Sequence, residues 1–297
     1  MPTPRHALIE VAIEAKSRDH QMKLADALAL LAKADSTLFV MIDSESGQAI
    51  LGGFGEAHLD EKIGVLRAIH GIDANVGAPQ VAYRETLGKT AEIDQTHKLV
   101  TASGGEFARV KLLFEPGAEG SGELAESRAQ HAPLAFVEGA LRGVGAAAEA
   151  GLVAGFPIID FKVTLLDVAY HDVDSSSGTF EIAARKAFRE LRERGAPRLL
   201  EPIMKVEVLT PDEYRGDVIG DLNSRRGQVQ GTETRDNLQV VTALAPLSNM
   251  FGYINTLRSF SQGRAQFTMQ YDHYAPMPQQ QEPDPDFSPA IGMRLRA

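Results

Sequence analysis

Cysteine and tryptophan are absent from all 297 residues. Without thiols the chain has no disulfides, no thiolate metal ligands and no cysteine nucleophile, a composition that fits a reducing, intracellular setting. No apolar run approaches the roughly 20 residues a membrane helix needs, and the opening MPTPRHALIE has no basic-plus-apolar secretory stretch. A cytoplasmic, membrane-free monomer is expected. Positive charge is also short: 30 Lys and Arg against 40 Asp and Glu leave a net −10. Such a surface cannot coat nucleic acid along its length, so any RNA contact is confined to a few basic loops. Charge alone favours a stand-alone protein–protein or small-molecule module.

Catalytic motifs are missing too. Gly88-Lys89-Thr90 looks like the end of a phosphate-binding loop, but that motif needs a glycine five residues before Gly88, where Tyr83 stands. Gly52–Gly55 (GGFG) lacks dinucleotide spacing and reads as a strand-to-helix turn. His58, Asp60 and Glu61 do not form HExxH, so His58 reads as a buried or capping residue. His171-Asp172-Val173-Asp174 offers no third metal ligand, and no GxSxG elbow occurs. No catalytic residue, metal site or cofactor is assigned to this chain.

What is present is enough apolar residue, 43%, for a sizeable core in two or three domains. Residues 1–77 read as β-α-β-β-α-β: a strand over His6–Ala15, a helix capped by Ser17 with Met22, Leu24, Leu28 and Leu31 inward, and strands Thr37–Ile42 and Gln48–Gly52 around Ser46-Gly47. A helix His58–Ile69 with Leu59, Ile63 and Leu66 inward and a closing strand Ile72–Val76 complete it. Residues 200–277 repeat that order without repeating the sequence: strand Met204–Leu209, helix Pro211–Arg225, a hairpin Gly227–Thr232 and Leu238–Ala245 turning at Asp236-Asn237, helix Met250–Phe260 and strand Ala265–Tyr271. The fold class is α+β, two ferredoxin-like split βαβ domains flanking an elongated α/β domain. That middle, 78–199, holds strands Val81–Thr86, Arg109–Phe114 and Ile158–Leu166, helices Phe136–Ala150 and Phe180–Arg194, and polar loops Thr96–Glu106 and Tyr170–Ser176. Gly77–Pro79 and Pro197–Leu199 read as linkers able to hinge. The tail 278–297, with its QQQEPDP run, is expected to be extended or mobile.

Several long segments resemble elongation factor G, in its order and spacing. They are GGFGEAHLD (Gly52–Asp60), DANVGAPQVAYRET (Asp73–Thr86), AGFPIID (Ala154–Asp160), YHDVDSS (Tyr170–Ser176), LLEPIMKVEV (Leu199–Val208), GDVIGDLNSRRGQVQG (Gly216–Gly231) and MFGYINTLRSFSQGRAQFTMQYDHY (Met250–Tyr274). The resemblance runs along nearly the whole chain and implies the family's third, fourth and fifth domains without its GTPase domain. It therefore implies a piece of a longer translational GTPase, the parent binding GTP and Mg while this chain binds neither.

The resemblance further implies that the fourth domain's tip enters the decoding site of the small ribosomal subunit with tRNA and mRNA during translocation. The fifth faces the stalk base of the large subunit. His171 matches the family's tip histidine, and an exposed imidazole can donate, accept and stack at a base or ribose edge. Tyr170, Asp172, Val173 and Asp174 share its loop, with the two aspartates read as caps for the helix opening near Ser175–Thr179. The companion loop contributes Lys98, Ser103, Gly104 and Gly105. It departs from the family's HKKQSGG or HKKQTGG pattern: Leu99 and Val100 stand at the second basic and Gln positions, and Glu106 adds negative charge where RNA is expected. The segment Glu126–Val144 is shorter than the family's and lacks its Tyr. The second departure suggests a paralogue or a lineage that has drifted, and the altered loop Val100–Glu106 motivates a paralogue in ribosome recycling or protection as the alternative. In the fifth domain Arg225, Arg226, Arg258 and Arg264 are candidate ribosome contacts, while Arg225-Arg226 at a helix end equally complement the helix dipole. Phosphate contact by that pair predicts a salt slope lowered by roughly one unit per substitution.

Overall fold

The structure, a computed structural model, describes residues 7–42, 49–101, 104–129 and 131–278. The Ser46-Gly47 turn, the Met22 side chain, Ser103 and the QQQEPDP tail lie outside what is described. The chain is α+β with three sheets. It divides into two compact units, one holding the residues up to Ala82 with Glu201–Ala275, the other Tyr83–Leu200.

The first sheet is built from β1 (Ile9–Ala15), β2 (Phe39–Ile42), β3 (Ala49–Gly53) and β4 (Ala74–Val76), with α1 (Arg18–Ala34) and α2 (Glu56–Ala68) between them. Its order β2-β3-β1-β4 is ferredoxin-like, and β5 (Gln80–Val81) adds a short pairing to β1. Ile9, Val11 and Ile13 alternate inward along β1, as a half-buried strand requires. Ser17 caps α1 by accepting the His20 N–H, and Leu24 and Leu28 are buried beneath it. The second helix opens at Glu56, ahead of the expected His58. A side chain at Gly53 would lie 2.8 Å from His58 Nδ1, so a glycine there lets strand and helix close on each other. His58 is half-buried: its Nε2 lies 3.1 Å from the Asp35 carboxylate, which Thr37 and Lys62 also bind. Hydrogen bonds from Thr37 first, then His58, hold the Asp35 carboxyl well below the usual carboxylate range.

The second unit contains β6 (Arg84–Thr86), β7 (Ala91–Thr101), β8 (Gly104–Pro116), β9 (Glu123–Ser127) and β10 (Phe161–Ala169), with α3 (Leu134–Ala150), α4 (Ser177–Arg189) and α5 (Leu191–Arg194). The sheet order is β7-β8-β10-β9; β9 runs parallel to β10 and the other pairs are antiparallel. Ile93, Val110, Leu112, Phe114, Val163 and Leu165 meet Ala140, Val144, Phe180, Ala184 and Phe188 of the helices in one core. The Ala/Gly-rich character of α3 follows from close helix packing. A Cβ on Gly139 would sit 2.4 Å from the Ser177 carbonyl oxygen, and one on Gly143 2.4 Å from that of Glu181.

Several expectations need correction in this unit. The described residues of Thr96–Glu106 are strand and not polar loop: β7 and β8 pair through Val100↔Gly105 and Thr101↔Gly104. The polarity misleads because His97, at an inward strand position, is a buried polar residue with partners. The helix expected over Phe180–Arg194 begins at Ser177 and breaks after Arg189. Strand β9 was not foreseen, since all five of its residues are exposed and carry no alternating pattern.

The third sheet holds β11 (Arg198–Thr210), β12 (Gln228–Arg235), β13 (Leu238–Pro246) and β14 (Gln266–Pro276), with α6 (Arg215–Ser224) and α7 (Tyr253–Phe260). Its order β12-β13-β11-β14 is again ferredoxin-like. Asp236 and Asn237 both take positive φ, 49° and 63°, the conformation a tight primed hairpin turn demands. The single strand expected over Val81–Thr86 is split because its halves find different partners, Val81 pairing with Ile9 and Arg84–Thr86 with Leu200–Arg198. That second pairing also places Arg198 and Leu199 in a strand, where a free linker was expected. The buried Glu85 carboxylate anchors the pairing by accepting the backbone N–H groups of Leu152, Val153, Ala154, Gly155 and Phe156.

Candidate functional site

The segments Tyr170–Ser176 and the β7–β8 hairpin end lie together. The Phe107 N–H donates to the Asp174 carbonyl at 2.8 Å, and the Ser175 hydroxyl donates to the Phe107 carbonyl at 2.6 Å. Gly105 packs so closely that a Cβ there would be 2.9 Å from the Asp174 carboxyl carbon. Within the loop, the His171 N–H donates to Ser175 Oγ at 2.8 Å and the Ser175 N–H returns to the His171 carbonyl at 3.1 Å. The Tyr170 ring sits edge-on to Phe136, which stacks on the buried Phe180. A polar loop is thus tied at both ends to core elements.

The His171 side chain is 60% exposed. Its Nδ1 faces the N–H groups of Val173 and Asp174 at 3.4 Å each. The Asp174 carboxylate lies at the same distance from Nδ1, so that nitrogen can accept from the two N–H groups or donate to the carboxylate. Asp172 and Asp174 do not cap the following helix, contrary to the sequence reading. Ser176 does, its Oγ accepting the Thr179 N–H at 3.2 Å while the Thr179 hydroxyl accepts the Ser176 N–H at 2.9 Å. A Ser three residues ahead of a Thr is the reciprocal cap, and it leaves the Asp172 side chain facing solvent. Asp174 instead lies 3.4 Å from His171 Nδ1.

Two charges near this end are engaged internally, and neither engagement was legible in the sequence. His97, 7% exposed, lies 2.8 Å from Glu106 through Nε2 and 3.1 Å from the Lys186 ammonium through Nδ1. The ammonium can only donate, so Nδ1 accepts and Nε2–H donates to Glu106. Glu106 is therefore not a free charge at the tip. This relay joins β7, β8 and α4. The outer sheet face is likewise self-neutralised: Lys111 pairs with Glu92 at 2.9 Å, Lys162 with Glu126 at 2.8 Å, and Arg109 with Asp94 and, at 3.7 Å, Asp167. The Arg109 guanidinium holds the Asp94 carboxyl below its ordinary range. Lys98 is exposed near the hairpin end, and Gly104 takes φ 151°.

In the third sheet's domain the four arginines separate into two kinds. Arg225 donates to Asp221 at 2.9 Å, to the Asn249 carbonyl at 2.8 Å and to Thr256 at 3.1 Å, and its guanidinium lies 5.1 Å from the centre of the Tyr253 ring. Burial pushes the Tyr253 hydroxyl well above the ordinary phenol range. Arg226, at φ 63°, makes a bidentate pair with Glu201, itself only 2% exposed. Arg264 bonds to Tyr214 and Glu213. Arg258 is exposed and makes no ion pair among the described residues.

The phosphate-loop lookalike has a structural role. The N–H groups of Gly88 and Lys89 donate to the Gly195 carbonyl at 3.0 and 2.9 Å, so they are not free to cradle a phosphate. Among the described residues no helix is long and apolar enough to cross a membrane.

Family comparison extends along the chain. Residues 2–78 match the model "Elongation Factor G, domain III", 79–196 match "Elongation factor G, domain IV", and 198–284 match "Elongation factor G C-terminus". The chain is 55% identical over 273 residues to an elongation factor G of Rhodopseudomonas palustris (strain BisB18), a match covering 91% of this chain and 40% of that protein. A crystal structure of a Thermus thermophilus protein superposes with a TM-score of 0.68 at 35% identity, over 94% of this chain and 42% of the other. The chain thus spans about two fifths of the length of the relatives it matches.

Proposed function

Because the chain belongs to the elongation factor G family, as its domains III, IV and V and without the GTPase domain, we propose that it is the ribosome-contacting arm of a translocase. In that reading domain IV meets tRNA and mRNA at the decoding site, domain V meets the stalk base, and domain III is the packing hub toward the GTPase domain. The work of these residues is mechanical: GTP binding and hydrolysis belong to the domain they do not include. The observation that carries the reading is the joining of the YHDVDSS loop to the β7–β8 hairpin end with His171 left 60% exposed. An imidazole in the core, or two loops held apart, would leave no tip. An imidazole this exposed is suited to a ribose or base edge, where it can donate, accept and stack.

Co-sedimentation of the 297-residue chain with ribosomes tests this. Binding that weakens on His171→Ala supports the arm, and a chain that stays in the supernatant at every salt concentration refutes it. The Leu99-Val100 pair favours a second reading, a family member acting in recycling or ribosome protection. A full-length factor carrying these three domains that fails to support translocation, yet splits ribosomes, would select that reading.

A further inference from the structure

His97 is buried and titratable, and the arm reading makes no use of it. Each of its ring nitrogens is engaged by a different element: Nε2 lies 2.8 Å from Glu106 on β8, and Nδ1 lies 3.1 Å from the Lys186 ammonium on α4. Among the described residues these are the two charged groups that face the ring. Asp94, Lys98 and Arg109 alternate onto the opposite face of the sheet, where Arg109 pairs with Asp94. On α4, Arg185 pairs with Glu181 and Arg189 is exposed, while Asp174, from the loop packed on Gly105, lies against His171.

A neutral imidazole has one donor and one acceptor, which is what these neighbours require: the ammonium donates to Nδ1, and the carboxylate accepts from Nε2–H. Protonation puts a second N–H on Nδ1. Two donors and two positive charges then face each other at 3.1 Å, beside a ring that is only 7% exposed, where little water screens them. The same proton strengthens the contact to Glu106, which becomes a charge-assisted hydrogen bond. The two neighbours also differ in freedom. Lys186 stands at an exposed position of α4, from which its ammonium can swing into water. A protonated ring therefore keeps Glu106 and gives up Lys186. We propose that His97 is a proton-operated latch of domain IV, which ties α4 to the β7–β8 hairpin when neutral and releases α4 when protonated. The helix follows directly from the Tyr170–Ser176 loop, which bonds to Phe107 of the same hairpin. Lys186 makes a second polar tie roughly ten residues, about 15 Å, further along the helix, and the latch acts on that tie alone. It concerns domain IV by itself and goes beyond the ribosome-contact reading.

The test follows imidazole nitrogen and backbone amide resonances of the full 297-residue chain from about pH 8 to about pH 5, the span over which histidines change charge. At the upper end Nδ1 should be unprotonated and Nε2 protonated. On acidification the α4 amides around Lys186 should move with the His97 midpoint, while Nε2–H stays bonded to Glu106. Lys186→Met removes the repelling charge and keeps an apolar stem, so the proton affinity of His97 should rise roughly tenfold and α4 should lose its response. Glu106→Gln keeps an acceptor without its charge and should lower that affinity roughly tenfold, holding the latch closed to lower pH. A proton on Nδ1 at the upper end, a ring that stays neutral throughout, α4 amides indifferent to the His97 titration, or a midpoint unmoved by either variant each overturns the proposal. Ribosome binding enters none of these readouts, so their failure leaves the arm reading untouched.

Discussion

The tip of domain IV and the arginine cluster of domain V make an instructive pair, because both are read from motifs and the folded chain treats them oppositely. At the tip, loop atoms bond to loop and core backbone, and the side chains His171, Val173 and Val100 are left facing solvent. In domain V the side chains themselves are the internal fasteners: Arg225 and Arg226 hold carboxylates, a carbonyl, a hydroxyl and a ring. A basic residue advertises phosphate binding only when nothing inside the domain claims it. Of the four arginines, Arg258 meets that condition among the described residues.

The contrast can be broken most forcefully at Arg226. Arg226→Ala strands the buried Glu201 carboxylate, and loss of about 3 kcal/mol is expected in urea unfolding, with ribosome salt slope unchanged in whatever fraction stays folded. A flattened slope with unaltered stability would return Arg226 to the RNA surface. Next in size is Gly143→Val. Its side chain meets the Glu181 carbonyl, so about 2 kcal/mol of overpacking should appear with chemical-shift changes spreading from α4 into the YHDVDSS loop. Shifts confined to α3 would sever the connection between helix packing and tip geometry.

Ser176→Ala removes the reciprocal cap with Thr179 and should cost about 1 kcal/mol. If Asp172→Ala or Asp174→Ala costs as much, the aspartates share the capping after all. The smallest effect is expected at Arg258→Ala: stability within about 0.5 kcal/mol of the parent and a salt slope lowered by roughly one unit. Equal slopes for parent and variant would remove the remaining candidate phosphate contact of domain V from the comparison.

Legibility followed the physics of each element. Both ferredoxin-like sheets were readable because their strands alternate and their turns carry special residues: Ser17 is a visible cap, and Asp236-Asn237 a visible positive-φ turn. Strand β9 was not, since an exposed strand paired along one edge has no apolar period. The β7–β8 hairpin end was misread for a related reason. His97 occupies a core-facing position that sequence rules reserve for apolar residues, and only its partners Glu106 and Lys186, the latter on a distant helix, offset the cost of that burial. The roles of Asp172 and Asp174 were misjudged because several residues near a helix start can cap it, and the choice among them depends on where the chain turns.

The order of motifs along the chain determined the family, the three-domain content and the location of the exposed histidine, since each depends on local pattern and chain order. Which charged groups remain available to a partner was decided by tertiary structure alone. A salt bridge or a buried hydrogen bond joins residues far apart in sequence, Glu201 to Arg226 or His97 to Lys186, and its energy depends on a separation of a few ångströms that no linear spacing encodes.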